Sequence, residues 1–152
     1  MDFKGDVSAV KISNDKTSLL VGESTGKAQL WMAATGALLQ TMDCGTGEVI
    51  AVDLSGDHRF LATGGIGKSA FVWDLQTGRE AREAACGGMV MCVAFSRDGS
   101  LLATGGVGGK ACIFGARSPR LLTSRHLTFQ CHVTLDAWSW AVASWQIWLP
   151  AR

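Results

Sequence analysis

Apolar and polar positions alternate in short runs along most of the chain, and small polar residues and glycines separate the runs at regular intervals. The pattern is clearest between residues 49 and 85. Val49, Ala51 and Asp53 alternate with Ile50, Val52 and Leu54, Ser55-Gly56-Asp57 reads as a turn, and Phe60 to Thr63 begins a second apolar run. Gly64 to Lys68 turns the chain again, Ala70 to Trp73 is a third run of β-favouring residues, Thr77-Gly78 is a further turn, and Arg79 to Ala85 supplies a fourth strand. Four short strands bounded by turn chemistry are the expectation.

The stretch 49–74 matches residues 90–115 and residues 7–32 when laid over them. Val7, Val49 and Val90 open the copies, Ser13, Ser55 and Ser96 stand six residues further on, and Trp31, Trp73 and Phe114 close them, at steps of 42 and then 41 residues. A period of that size marks a tandem array of supersecondary units. Serine followed two residues later by aspartate (Ser13/Asp15, Ser55/Asp57, Ser96/Asp98) suits a tight turn, because both side chains hydrogen-bond local amides. Asp98-Gly99 is the strongest hairpin signal of the three.

The pattern changes once. All 19 glycines lie at or before Gly115, whereas four of the six tryptophans crowd into Trp138, Trp140, Trp145 and Trp148. The chain therefore divides into a repeat region, residues 1–117, with copies at about 7–48, 49–89 and 90–117, and an unrelated tail, residues 118–152. Ser118-Pro119 stands where the other copies have Thr-Gly, so no fourth strand is expected in the third copy. Within the tail, strict alternation over 127–135 reads as an amphipathic strand fit to pair with an exposed edge. Trp138, Val142, Trp145, Trp148 and Leu149 fall at helical spacing over 138–149, a face suited to a partner more than to a membrane. The abrupt start of the tail also fits a mis-framed or truncated product of a longer repeat protein with no independent activity.

Composition adds limits. The 152 residues, 47% hydrophobic and 18% charged, suffice for a packed core, and a net charge of +1 supplies no field that would favour nucleic acid. Met1 leads directly into Asp2, Phe3 and Lys4, and no run approaches the roughly 18 apolar residues that span a bilayer, so an intracellular protein, cytoplasmic or nuclear, is expected. Cys44 and Cys86 hold equivalent places in the first two copies, and Cys92 and Cys112 lie inside strand patterns, as small reduced core residues would.

Four strands per unit, the Val-x-x-Val and Ser-x-Asp series, the Leu-Ala-Thr-Gly-Gly runs at Leu61–Gly65 and Leu101–Gly105, and the pair Trp73-Asp74 together resemble the WD-repeat β-propeller family. The resemblance implies an all-β fold, a partial propeller of about three four-stranded antiparallel blades, and a non-catalytic protein–protein interaction scaffold. The chain departs from the family's pattern at two places. Gly45 to Glu48 and Gly87 to Met89 stand where a Gly-His pair is expected, and Thr25-Gly26, Ile66-Gly67 and Val107-Gly108 stand where the turn before the third strand carries an aspartate. Without those residues the buried Asp-His-Ser/Thr-Trp chain of hydrogen bonds is not expected, and Trp31 and Trp73 are read as packing residues. Propellers close with typically four to eight blades, so three copies form an arc whose open edges invite self-association.

Two motifs bear on chemistry. Ala62 to Ser69 satisfies the loose form of a phosphate-binding loop and would make the protein an NTP-binding enzyme, but the run that follows reads as a strand, so a glycine-rich turn is the better reading. His126, Cys131 and His132 match no zinc spacing, and His58 beside Asp57 faces no nucleophile. No catalytic residue, cofactor or metal is assigned. Lys27, Lys68 and Lys110 fall at nearly the same place in the three turns between second and third strands, so they would project from one face and meet acidic proteins or peptides. The plain alternative is that lysines hydrate exposed turns.

Overall fold

The structure, a computed structural model, describes residues 4–45, 47–107, 109, 111–116 and 121–123. Among them the regular structure is all β, in three four-stranded antiparallel sheets whose strands follow chain order. The first sheet holds β1 (Val7–Ile12), β2 (Ser18–Glu23), β3 (Lys27–Met32) and β4 (Leu38–Asp43). The second holds β5 (Val49–Leu54), β6 (Phe60–Gly65), β7 (Ser69–Asp74) and β8 (Arg79–Ala85). The third holds β9 (Val90–Phe95), β10 (Leu101–Gly106), β11 (Ala111–Gly115) and the three-residue β12 (Leu121–Thr123).

β12 corrects one expectation. It lies beyond Ser118-Pro119, yet it pairs with β11 through Ile113–Thr123 and Phe114–Leu121. An edge strand needs only backbone donors and acceptors from its neighbour, so the lost turn pattern does not prevent it. The expected strand at 127–135 and helix at 138–149 lie outside the described residues.

Register explains how one strand faces two ways. Each inner strand shifts register near its start, between Val7 and Ala9, between Val49 and Ala51, and opposite Gly105/Gly106. In β5 the bulge changes the phase of alternation, so Val49 shares a face with Val52 and Leu54 instead of with Ala51 and Asp53. That face meets the first sheet.

The cores lie between sheets. Leu20, Ala28, Leu30 and Met42 of the first sheet pack with Val49, Leu54, Leu61 and Trp73 of the second. On the opposite face of the second sheet, Phe60, Ala62, Ala70 and Val72 pack with Val90, Leu102, Cys112 and Phe114 of the third. Close approach depends on a bare backbone in each second strand. A Cβ at Gly22 would lie 2.9 Å from Val49 Cγ1, and one at Gly64 would lie 2.5 Å from Val90 Cγ1 and 3.1 Å from Val93 Cγ1. Val90 is fully buried and β-branched, so it has no alternative rotamer to move into. Gly64→Ala is therefore expected to cost about 1–3 kcal/mol as an overpacked contact. Urea unfolding measures it, and a change within about 0.5 kcal/mol, the size of an ordinary surface substitution, would mean that the sheets separate without strain.

Candidate interaction surfaces

Antiparallel strands in chain order place the turns β1–β2, β5–β6 and β9–β10 at one end of the arc, and the turns β2–β3 and β6–β7 at the other. The two ends differ in chemistry.

At the first end one device appears three times. Ser13 Oγ donates to Asp15 Oδ1 at 2.6 Å, Ser55 Oγ to Asp57 Oδ1 at 2.6 Å and Ser96 Oγ to Asp98 Oδ1 at 2.5 Å. Each serine oxygen then accepts an amide, from Ser18, Phe60 and Leu101 respectively. Each aspartate also accepts the amide two residues on, from Thr17, Arg59 and Ser100. The fourth residue of each turn is left-handed: Lys16 at φ 62°, His58 at φ 57° and Gly99 at φ 67°. Only the third copy places glycine where that conformation carries no Cβ penalty. Neighbouring turns also touch. His58 Nδ1 lies 3.5 Å from Asp15 Oδ2, and a Cβ on Gly56 would strike the Arg97 carbonyl oxygen at 2.8 Å.

Beneath these turns a cavity of about 520 Å³ opens among the ends of the inner strands, lined by Lys11, Asn14, Asp53, Gly56, Ser96 and Arg97 with Leu54 and Phe95. Asp53 joins all three sheets there. Its Oδ1 lies 3.1 Å from Lys11 Nζ on β1, and its Oδ2 accepts the Phe95 amide of the third sheet at 2.7 Å. A readable signal existed. Lys11 and Asp53 are equivalent positions one period apart and carry opposite charge, but alternation along one strand does not reveal contacts between copies.

Two of the three expected lysines stand at the other end. Lys27 opens β3 and is half-buried, Lys68 lies exposed one residue before β7, and Lys110 falls outside the described residues. Two exposed apolar side chains share these turns, Ile66 at 50% and Val107 at 62% exposure, and sequence reading did not single them out. The segment after Lys68 is strand β7, so the phosphate-loop reading lacks the helix N-terminus that such a site requires. His126, Cys131 and His132 lie outside the described residues.

A buried polar chain corrects the reading of Trp73 as a packing residue alone. Trp73 Nε1 donates to Thr63 Oγ1 at 3.2 Å, and the Cys44 thiol reaches the same oxygen at 3.4 Å. In the third sheet Cys86 Sγ and Thr104 Oγ1 stand 3.3 Å apart, and Phe114 replaces the indole. A cysteine ahead of the inner strand thus partners the threonine in place of the missing Gly-His pair. Burial pushes the Cys44 thiol up from its ordinary 9.0, which keeps it neutral and inert.

The first-end turns respond to acid. Hydrogen bonds from the Ser13 hydroxyl, then from the Thr17 hydroxyl and amide, hold the Asp15 carboxyl at about 2, below its ordinary 3.8. The Ser96 hydroxyl and then the Ser100 hydroxyl and amide hold Asp98 at about 2 as well. The unfolded chain takes up these protons more readily than the folded one. The stability they contribute is full above the ordinary value and is lost as pH falls through the folded value.

The known proteins this chain resembles fit the repeated geometry. The family model of the WD domain, G-beta repeat, matches residues 36–74 and 82–114. The first match begins in the turn before the outer strand of one sheet and the second on that strand of the next, and each ends on the third strand of the following sheet, so the family repeat straddles two sheets. WD repeat-containing protein 3 of Homo sapiens is 41% identical over 58 residues, covering 38% of this chain and 6% of that protein. WD repeat-containing protein 3 of Mus musculus is 36% identical over 58 residues, with the same shares. The chain thus spans about 6% of the length of these curated relatives.

Two measurements test the first end. Asp53→Ala strands the Phe95 amide and is expected to cost about 2 kcal/mol, whereas Lys11→Met is expected to cost about 0.5 kcal/mol, because the lysine side chain is 47% exposed. Urea titration separates the two, and equal losses would assign the stabilisation to charge pairing instead. In melts from about pH 5 to about pH 2 the melting temperature should fall, and Asp15→Asn with Asp98→Asn should flatten that fall. A parallel fall in the double variant would place the acid sensitivity elsewhere.

Proposed function

Because the chain carries WD40 repeats, a kind of domain that scaffolds contacts between proteins, we propose that it is a non-catalytic scaffold which binds acidic proteins or peptides. The proposed docking surface is the end of the arc that bears Lys27 and Lys68, with Lys110 included on its equivalent place in the sequence. The observation that carries this reading is the recurrence of a lysine at nearly the same place in three successive copies, in turns that also expose Ile66 and Val107. Basic groups beside apolar ones suit an acidic segment with an apolar anchor, since the charges steer the encounter and the desolvated side chain supplies affinity. The opposite end is less suited to this role, because its carboxylates are already hydrogen-bonded within their own turns and Asp53 is committed between sheets. An intracellular location, cytoplasmic or nuclear, belongs to the same proposal.

The experiment is fluorescence anisotropy with a labelled poly-Glu peptide carrying one tryptophan. Replacing Lys27, Lys68 and Lys110 together by Glu is expected to weaken binding at least about tenfold, equivalent to about 1.4 kcal/mol. Raised salt should weaken the wild-type complex in the same direction. Unchanged affinity of the triple variant would remove this surface from the function.

A further inference from the structure

Among the described residues the interface between successive sheets forms twice, and each of its two halves occurs once more without a partner sheet. One half is the face a sheet turns toward its successor. In the second sheet Phe60, Ala62 and Val72 hold this face at 6%, 0% and 1% exposure. Their equivalents in the third sheet, Leu101, Ala103 and Ile113, are half-buried, half-buried and 40% exposed. The other half is the inner strand that the face receives. Val49 and Leu54 are 2% and 8% exposed, and Val90 is 0% exposed. The matching strand of the first sheet leaves Val7, Val10 and Ile12 at 44%, 57% and 58%.

We infer that a second copy of this chain fills both vacancies: β1 of one copy seats on the open face of the third sheet of the other, and two chains close head to tail into a ring of six sheets. The contact continues one the structure already makes. Gly105 occupies the position of Gly22, where Val49 and Val52 seat, and of Gly64, where Val90 and Val93 seat. At Gly105 the Cys92 Sγ lies 2.8 Å from where a Cβ would stand, so Val7 and Val10 of the second copy would meet that thiol as well as the backbone. The three described sheets are too few to meet end to end, because propellers close with typically four to eight; six from two copies fall inside that range. A head-to-tail contact that closes by rotation yields a finite ring and removes both open faces at once. It also covers apolar side chains that would otherwise remain in water.

The test uses the full chain with no partner protein present, so its result is independent of the scaffold reading. Analytical ultracentrifugation should give twice the 16.1 kDa chain mass. Val10→Lys and Ile113→Glu each alter an exposed position, and circular dichroism should show both folded. Each alone should run as a monomer, because each spoils both contacts of the ring. Mixed in equal amounts they should dimerise again, since one contact is then wild type on both sides and the other joins lysine to glutamate. A wild-type monomer at all concentrations would overturn the proposal and assign the open faces to residues 124–152 or to no occupant. Species larger than a dimer would overturn closure, and single variants that remain dimeric would place the contact on other faces.

Discussion

Everything in this fold depends on how closely one sheet can lie against the next. A sheet of four short strands buries little on its own, and here the apolar side chains meet between sheets. The approach is set where the backbone of each second strand is bare, at Gly22 against Val49 and at Gly64 against Val90. A methyl group at either glycine would separate the faces on which the cores are built. The stability of such an array is largely a sum of neighbour contacts, and among the described residues the middle sheet is covered on both faces and the end sheets on one.

Chain connectivity reinforces that dependence. The family repeat runs from the outer strand of one sheet into the inner strands of the next, so a sequence unit is never a sheet by itself. Polar links cross the same boundaries. Ser8 Oγ donates to the Val49 carbonyl at 2.6 Å, Arg82 reaches the Gly115 carbonyl at 2.7 Å, and Asp53 holds the first and third sheets to the second. These bonds fix the rotation of the sheets about the inner strands, which apolar contact alone leaves soft. The two ends of the arc acquire their separate chemistries from this alignment.

The buried Trp73–Thr63–Cys44 chain shows how a polar network survives the loss of members. The threonine hydroxyl accepts from the indole and meets a thiol. A thiol is a weak hydrogen-bonding group, so the link is looser than one made by imidazole, but it avoids leaving a polar atom stranded in a dry interface. In the first sheet Val21 occupies the position of Thr63, opposite Gln29 in register, and there the device is absent.

Residue order by itself determined the local structure. Strand, turn and period follow from contacts within a few residues: alternation marks the strands, and a serine and an aspartate two apart close each first turn on their own amides. The resemblance to WD repeats and the number of copies were legible for the same reason, because they repeat a local pattern. What pairs across copies was not. The bulge that moves Val49 onto the face of Leu54, the bridge from Lys11 through Asp53 to Phe95, the thiol in place of the Gly-His pair, and the strand at Leu121–Thr123 all depend on groups brought together by the stacking of sheets. One-dimensional alternation records whether a side chain points up or down. Only the tertiary structure decides what stands opposite it.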